Sequence, residues 1–573
     1  MHFVTQEYRP ENEMNVAPEG LQMGTDIALE QRMPTLPTLH ETVAALSFAL
    51  DLTEGAVPGH ANRSCLLALR IGKAVGLSKE TLDELYYAAL LKDVGCSSNS
   101  SRMCQIVGGD DRRVKAGAKL ADWTKPWKSD TRTLRMLWRE VLPGEPAWRK
   151  AARMVRMGLM QQRNSRELIE IRCDRGASIV RKIGLGDEVA QAVRHLDEHW
   201  DGGGFPGMLR GREIPVLSRV LGVAQHLDAF AAECGTAEAM ATLEQRSGRW
   251  FDPVLVKAAQ ALDREGRLWE ACRGTDGAAA AHAAVLAVEP QGAADALRPA
   301  GLDAICDAFA EVVDAKSPYT YHHSQGVRQA AMAIGTVLEL GPERKQMLSR
   351  AALLHDLGKL SVPNSILDKQ GKLTESEFKV MKGHSLLSRQ ILARLGTFEE
   401  IAQIAGNHHE KLDGTGYPYG LGAEQLGLDS RLLAVADVYA ALSEDRPYRE
   451  GMSSTEIGAI MQRDVPQKLD PLCYEALQSA LQAGLLRPAK DEEKAKRRDE
   501  SVELDPSAGP VVAGRVGSWS RRVGARLHGP PDAWPLKRAG GSNPVPGELL
   551  QEAALALGER ANVSAGVPGR PSS

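Results

Sequence analysis

Between positions 323 and 409 the chain carries His323, His355, His384, His408 and His409, with Asp356 beside one of them and Asp437 further on. Imidazole nitrogens and carboxylate oxygens are ligands of divalent transition metals, and this set contains no thiolate. Taken singly, each residue has a plainer reading. A histidine on an amphipathic helix is usually packed or solvated, His408-His409 could close a helix, and Asp437 could be a buried, hydrogen-bonded carboxylate. The joint pattern argues for more. His355-Asp356 follows the apolar run Ala351-Ala352-Leu353-Leu354, and Asp437 interrupts a run that begins at Leu432. Burying such groups unpaired is costly, whereas carboxylates and imidazoles on facing helices satisfy one another by sharing cations. Asp356 is suited to bridging two metals, because each carboxylate oxygen can bind one. Imidazole and carboxylate without thiolate suit iron, manganese or zinc better than a soft metal.

The elements that must position these groups read as helices. Leu66, Leu67, Leu69, Ile71 and Val75 recur at helical spacing, as do Leu82, Leu85, Ala88 and Leu91. The expected fold is all-α: two tandem helical domains with a disordered leader and tail. The spacing divides the chain into a leader (1–37), a first domain (38–272), a Gly/Ala-rich linker whose Ala run could be helical (273–297), a second domain (298–488) and a low-complexity tail (489–573). An internal repeat relates the two domains. Arg219–Phe230 aligns with Arg431–Leu442, Asp201–Pro206 with Asp413–Pro418, Lys92–Cys96 with His355–Lys359, and Phe251–Val254 with Leu469–Leu472. A unit of roughly 190 to 230 residues is a duplicated domain, since solenoid periods are about 20 to 50.

The run His355-Asp356-Leu357-Gly358-Lys359, then His384, His408-His409, Asp413 to Gly416-Tyr417-Pro418, Asp437 and Arg446 to Arg449 resembles the HD-GYP subgroup of HD-domain phosphohydrolases. The resemblance implies a metal-dependent phosphodiesterase of bacterial second-messenger signalling that hydrolyses cyclic di-GMP to the linear dinucleotide or GMP. The implied metal ligands are His323, His355, Asp356, His384, His408, His409 and Asp437. Two divalent cations held there would lower the pKa of a shared water and withdraw charge from the phosphodiester. Asp356 and Lys359 would be the catalytic pair, with Lys359 on a phosphate oxygen or assisting the leaving group; its plain alternative is a solvated lysine. Arg446 and Arg449 resemble the family's phosphate contacts, or are surface arginines. Gly416, Tyr417 and Pro418 would shape the substrate rim, or form an ordinary turn. Some members carry a Glu one turn before the first histidine for a third metal; Tyr319 stands there, favouring two. His323 is chosen over His322 because it lies 33 residues before Asp356, as His60 lies 33 before Asp93.

In the first copy the same alignment replaces His355 by Lys92, Lys359 by Cys96, His384 by Arg172, His408-His409 by Leu196-Asp197 and Asp437 by Gln225. Only His60 and Asp93 remain; His195 and His199 lie out of register. This copy is expected to be catalytically inert and either structural or regulatory. Other readings stay open: a phosphohydrolase for another cyclic dinucleotide or nucleotide, or a metal-stabilised scaffold that binds diguanylate cyclases or other signalling proteins. A net charge of −4 gives no overall bias towards nucleic acid. Eight cysteines without a CxxC pair argue against a disulfide framework and a cysteine zinc site. No apolar run reaches the ~18–20 residues of a membrane span. Without a signal-peptide pattern the expected location is cytoplasmic, and the oligomeric state stays open.

Overall fold

The computed structural model describes residues 36–122, 131–272, 277–288, 290, 298–320, 322–445, 450–488 and 490. Nearly all of the expected leader and tail lies outside these residues, as do Arg446 and Arg449. Among the described residues there are helices, short 3-10 turns and isolated bridges such as Ser247–Phe251, and no β-strand. The fold is all-α.

Corresponding helices recur along the chain. Leu39–Glu54, His60–Ala74, Lys79–Leu91, Gln161–Lys182, Asp187–Arg194, Val216–Cys234 and Pro253–Arg264 in the first copy are followed by Pro299–Asp314, His323–Val337, Pro342–Leu354, Glu375–Leu392, Glu399–Gly406, Leu428–Ser443 and Pro471–Gln482 in the second. The same local chemistry fixes both sets. Asp51 accepts the backbone N–H groups of Gly59 and Ala61, and Asp314 accepts that of Ser324, so each buried carboxylate caps the next helix. Arg219 joins Ile214 O to Asp252 Oδ2 (2.7 Å), and Arg431 joins Leu426 O to Asp470 Oδ2 (3.1 Å). Asp252 and Asp470 in turn cap helices that open with proline.

One difference is large. Between the Lys79 and Gln161 helices the first copy inserts four helices, Ser100–Val107, Asp111–Leu120, Thr131–Glu140 and Ala147–Leu159, with a small apolar core of their own around Val107, Val141 and Met154. In the stretch read as a linker, Gly277–Leu286 is a helix packed on the His60 helix, with Ala281 and Val285 fully buried.

The two copies pack reciprocally. The Leu39 helix lies on the Leu357–Ser361 turn and the Glu375 helix of the second copy; the Pro299 helix lies on the Cys96–Asn99 turn and the Gln161 helix of the first. Such an exchange of equivalent contacts is the intramolecular form of a two-fold interface. It explains why the Leu39 helix is buried around nearly its whole circumference, from Val43 to Leu50. One apolar core runs from Leu46 and Leu67 through Phe309 to Leu353 and Leu433.

Candidate metal centre

Five segments of the second copy converge on one buried point. His323 is the first residue of its helix and is 1% exposed. The neighbouring His322 holds a left-handed backbone conformation and is exposed. His355 and Asp356 close the Pro342 helix and lead into the Leu357–Ser361 turn. His384 sits on the Glu375 helix, His408-His409 just past the Glu399 helix, and Asp437 on the Leu428 helix.

Asp356 is central. Its Oδ1 lies 3.3 Å from His384 Nε2 and 3.8 Å from His408 Nε2. Its Oδ2 lies 3.2 Å from His355 Nε2 and 3.6 Å from His323 Nε2. Asp437 Oδ1 approaches His323 Nε2 (3.2 Å) and His355 Nε2 (3.7 Å), while its Oδ2 faces His409 Nδ1 (3.8 Å). Two ligand groups result, His323/His355/Asp437 and His384/His408/His409, with one Asp356 oxygen turned towards each.

The outer contacts aim the rings inward. The Nδ1 atoms of His355, His384 and His408 donate to the carbonyls three residues back, Ala352 (2.8 Å), Met381 (2.5 Å) and Ala405 (2.6 Å). A carbonyl can only accept, so those protons fix the tautomer and leave Nε2 with a lone pair facing the centre. His323 Nδ1 instead meets Glu444 Oε2 at 2.9 Å. Burial opposes a charged His323, but Glu444 and the Asp437 hydrogen bond overcome it and push the imidazole up to about 10. Burial and the neighbouring imidazoles hold His408 and His409 neutral. Burial disfavours charge on Asp356 too, yet His355 and Lys359 hold its carboxyl well below the usual range. His355 Nε2 and Asp356 Oδ1 have no hydrogen-bond partner among the described residues. Orphaned inward-facing donor atoms, the neutral imidazoles of His408 and His409 and two ionised carboxylates fit a pair of divalent cations, which would displace the proton that Glu444 and Asp437 hold on His323.

Lys359 pairs with Asp356 and so reaches the centre. Tyr417 stands at the rim, its ring 4.7 Å from His409, and its backbone N–H bonds His409 O. Gly416 is required there, because a side chain would drive into the Glu410 and Lys411 backbone. The Glu410 carboxylate accepts the N–H groups of Tyr419, Gly420 and Leu421 and fixes the loop around Pro418. Tyr319 is half-buried on the turn before His322, its N–H bonded to Ser317 Oγ. Sequence reasoning missed Glu444, which lies two helical turns beyond Asp437 on the same face. It also missed Phe378 and Lys382, one turn apart on the His384 helix, where Lys382 Nζ lies over the rings of Phe378 (4.8 Å) and Tyr417 (5.5 Å).

The first copy builds the same framework with most of the ligands replaced; His60 and Asp93 stay, the latter within a buried Glu54/Asp93/Cys96 group. Gly95 packs on Arg172 O as Gly358 packs on His384 O, and Arg172 pairs with Asp197. His60 bonds Asp228 at 2.7 Å, Lys92 pairs with Asp93, and Gln225 faces the centre. Lys119 Nζ, from the inserted Asp111 helix, lies 3.0 Å from Glu54, 3.5 Å from Asp93 and 3.4 Å from His60 Nε2. Burial opposes its charge, but Asp93 and Glu54 more than restore it. An ammonium built into the chain stands where the second copy gathers ligands. His195 pairs with Glu198 and His199 stacks on Trp250, so neither is a substitute ligand.

Comparison with known proteins defines the class. An HD-domain family model matches residues 160–255 and 307–472. A 3'3'-cGAMP-specific phosphodiesterase of Vibrio cholerae is 38% identical over 450 residues, 77% of this chain and 94% of that one. The chain belongs to the HD-GYP-type phosphodiesterases, as a tandem form with a degenerate first copy, and it is a metal-dependent phosphodiesterase. A solved structure of a cyclic GMP-AMP-specific phosphodiesterase from V. cholerae superposes with a TM-score of 0.54 at 33% identity, covering 78% of this chain and 98% of that chain. A cyclic di-GMP phosphodiesterase of Pseudomonas aeruginosa is 42% identical over 139 residues, 24% of this chain and 34% of its own length. Among the described residues no helix is long and apolar enough to cross a membrane.

Proposed function

We propose that the second copy, residues 298–488, is a cyclic dinucleotide phosphodiesterase whose cations are held by His323, His355, Asp437, His384, His408 and His409, with Asp356 shared between the two groups. The observation that carries this reading is the Asp356 carboxylate, with one oxygen turned to each ligand group. Bound divalent cations supply Lewis acidity and an activated water at neutral pH. The chain supplies the rest. Asp356 and Asp437 provide the negative charge, and the carbonyl-anchored histidines present rigidly held Nε2 atoms. Lys359, at the inner edge, holds a non-bridging phosphate oxygen or steadies the leaving oxygen. Tyr417 and Phe378, with Lys382 over both, form a flat cationic rim against which a base can lie. With Tyr319 in place of a carboxylate, the residues present would hold two cations, and the linear dinucleotide is the expected main product. Iron or manganese is the expected metal.

The favoured substrate is the hybrid dinucleotide 3'3'-cGAMP, because the V. cholerae relative that aligns over both copies is named for it. Cyclic di-GMP is the second reading, supported by the P. aeruginosa relative, 42% identical over 139 residues. Full-length protein loaded in turn with Fe(II), Mn(II) or Zn(II) would be given both dinucleotides, and the products separated by chromatography. Faster opening of 3'3'-cGAMP is expected. His355→Ala and Asp356→Ala are expected to lose bound metal and hydrolysis while keeping their helix content. Hydrolysis retained by Asp356→Ala would refute the site, and a preference for cyclic di-GMP would transfer the substrate to the second reading. A protein that binds diguanylate cyclases but cleaves neither dinucleotide would be the scaffold instead.

A further inference from the structure

The first copy contains a cavity of about 190 Å³ at the place where its duplicate gathers metal ligands. Charge has been neutralised there from within, so the space is open to something other than a cation. One wall carries Lys119 and Arg172, each with 15% of its side chain exposed. Another is the His199–Trp250 stack, with ring centroids 4.0 Å apart and planes 24° from parallel. Three polar atoms at the lining are buried without a hydrogen-bond partner among the described residues: Gln225 Oε1, His226 Nε2 and Asn99 Oδ1. His226 is 5% exposed, and burial, reinforced by Arg246, keeps its ring neutral. Buried polar atoms in native proteins are nearly always satisfied, by protein, water or ligand.

We propose that this cavity binds a purine nucleotide, with its base against the His199–Trp250 wall and its phosphate towards Lys119 and Arg172. The match is chemical at each surface. With His199 stacked on Trp250 and the Arg246 guanidinium 4.0 Å from the same ring, the wall offers ring edges, and a flat heteroaromatic base meets it edge to face. The amino and imino N–H groups of a purine suit the amide oxygens of Gln225 and Asn99, which can only accept. A phosphate suits a guanidinium and an ammonium that remain partly accessible. The loss of catalytic ligands and the retention of a polar cavity are then one change: the same framework turned from cleaving a nucleotide to holding one. The inference concerns a different site from the proposed catalytic centre and stands whichever dinucleotide that centre cleaves.

The test is equilibrium dialysis of the full-length chain against labelled GMP and AMP, before and after a chelator has removed the cations of the second copy. One equivalent of nucleotide is expected to survive chelation. Gly222 lines the cavity, and a Cβ there meets only Leu196 O at an ordinary 3.6 Å. Gly222→Leu therefore fills the space without removing a contact and is expected to weaken the chelator-resistant binding by tenfold or more. Gly222→Ala is expected to leave it nearly unchanged. Ala118→Leu fills the cavity from the Asp111 helix and checks the result if Gly222→Leu proves unstable by circular dichroism. Loss of all binding on chelation would overturn the proposal, as would equal binding by the filled variants. So would inorganic phosphate competing as well as GMP and AMP, which would leave an anion site with no place for a base.

Discussion

The strongest residue-level signal is a polar pair where an apolar helix should continue. His355-Asp356 was legible because burying both is costly unless something pairs them, and the remaining histidines supplied that partner once taken together. Glu444 was not legible. It sits in Ser443-Glu444-Asp445, which reads as a solvated helix end, and only the folded chain brings it 2.9 Å from His323 Nδ1. Its part is to orient the His323 ring. Glu444→Gln keeps the length of the side chain but removes its charge, and metal affinity is expected to fall about 10- to 100-fold, the usual cost of an outer-shell partner. Titration of the chelated protein with Mn(II), followed by activity and bound metal, measures this. Unchanged affinity would show that Glu444 merely borders the site. Gly358 gives a second residue-level prediction. A methyl there meets His384 O, so Gly358→Ala is expected to cost about 1–3 kcal/mol and to displace a ligand. Gly95→Ala, against Arg172 O, carries a similar stability cost but leaves metal content intact.

At the scale of elements the repeat was readable, because the same residues cap and brace corresponding helices in both copies. The role of the inserted Asp111–Leu120 helix was not, because no position in the second copy corresponds to it. Lys115 and Lys119, one turn apart on this helix, reach the first copy's interior, while its N-terminus grips the second copy. Asp111 Oδ1 accepts the Asn364 N–H at 2.9 Å, Arg112 bonds Ser361 O, and Asp111 Oδ2 faces Lys316 Nζ at 3.7 Å. Asp111 and Lys316 are both fully buried, so Asp111→Ala strands a cation and is expected to destabilise by about 3–5 kcal/mol. Asp111→Ala/Lys316→Met is expected to recover much of that loss in denaturant titration; additive losses would deny the coupling. Burial pulls the Lys316 amine down to about 8 from its ordinary 10.5. Between those values the unfolded chain holds the proton more tightly than the folded one, so this group makes stability rise with pH from about 8 to 10.5 and adds no slope below. Lys316→Met is expected to flatten that rise.

At the scale of the whole molecule, duplication has produced a pair of copies that cover one another. Hydrophobic periodicity announced two helical bodies but not which faces they share, since a helix such as Leu39–Glu54 reads the same whether its second apolar face meets its own copy or the other. In the fold that helix covers the Leu357–Ser361 turn and the Glu375 helix, the two elements that carry Lys359 and His384. The Pro299 helix returns the contact, with Glu311 paired to Arg175 and to Lys182 on the Gln161 helix. The apolar core continues through this junction from Leu50 to Leu360. The second copy therefore lacks a wall when it stands alone. Residues 298–490 expressed without the first copy are expected to expose the faces that the Leu39 helix covers, and then to precipitate or associate through them. Loss of that cover also loosens the turn bearing Lys359, so turnover is expected to fall even in the soluble fraction, while His355 and Asp356 still draw metal. Light scattering, bound metal and hydrolysis measured on the same preparation check this. A monodisperse monomer with the full chain's turnover would mean that the junction supports neither folding nor catalysis, and that the first copy persists for its cavity alone.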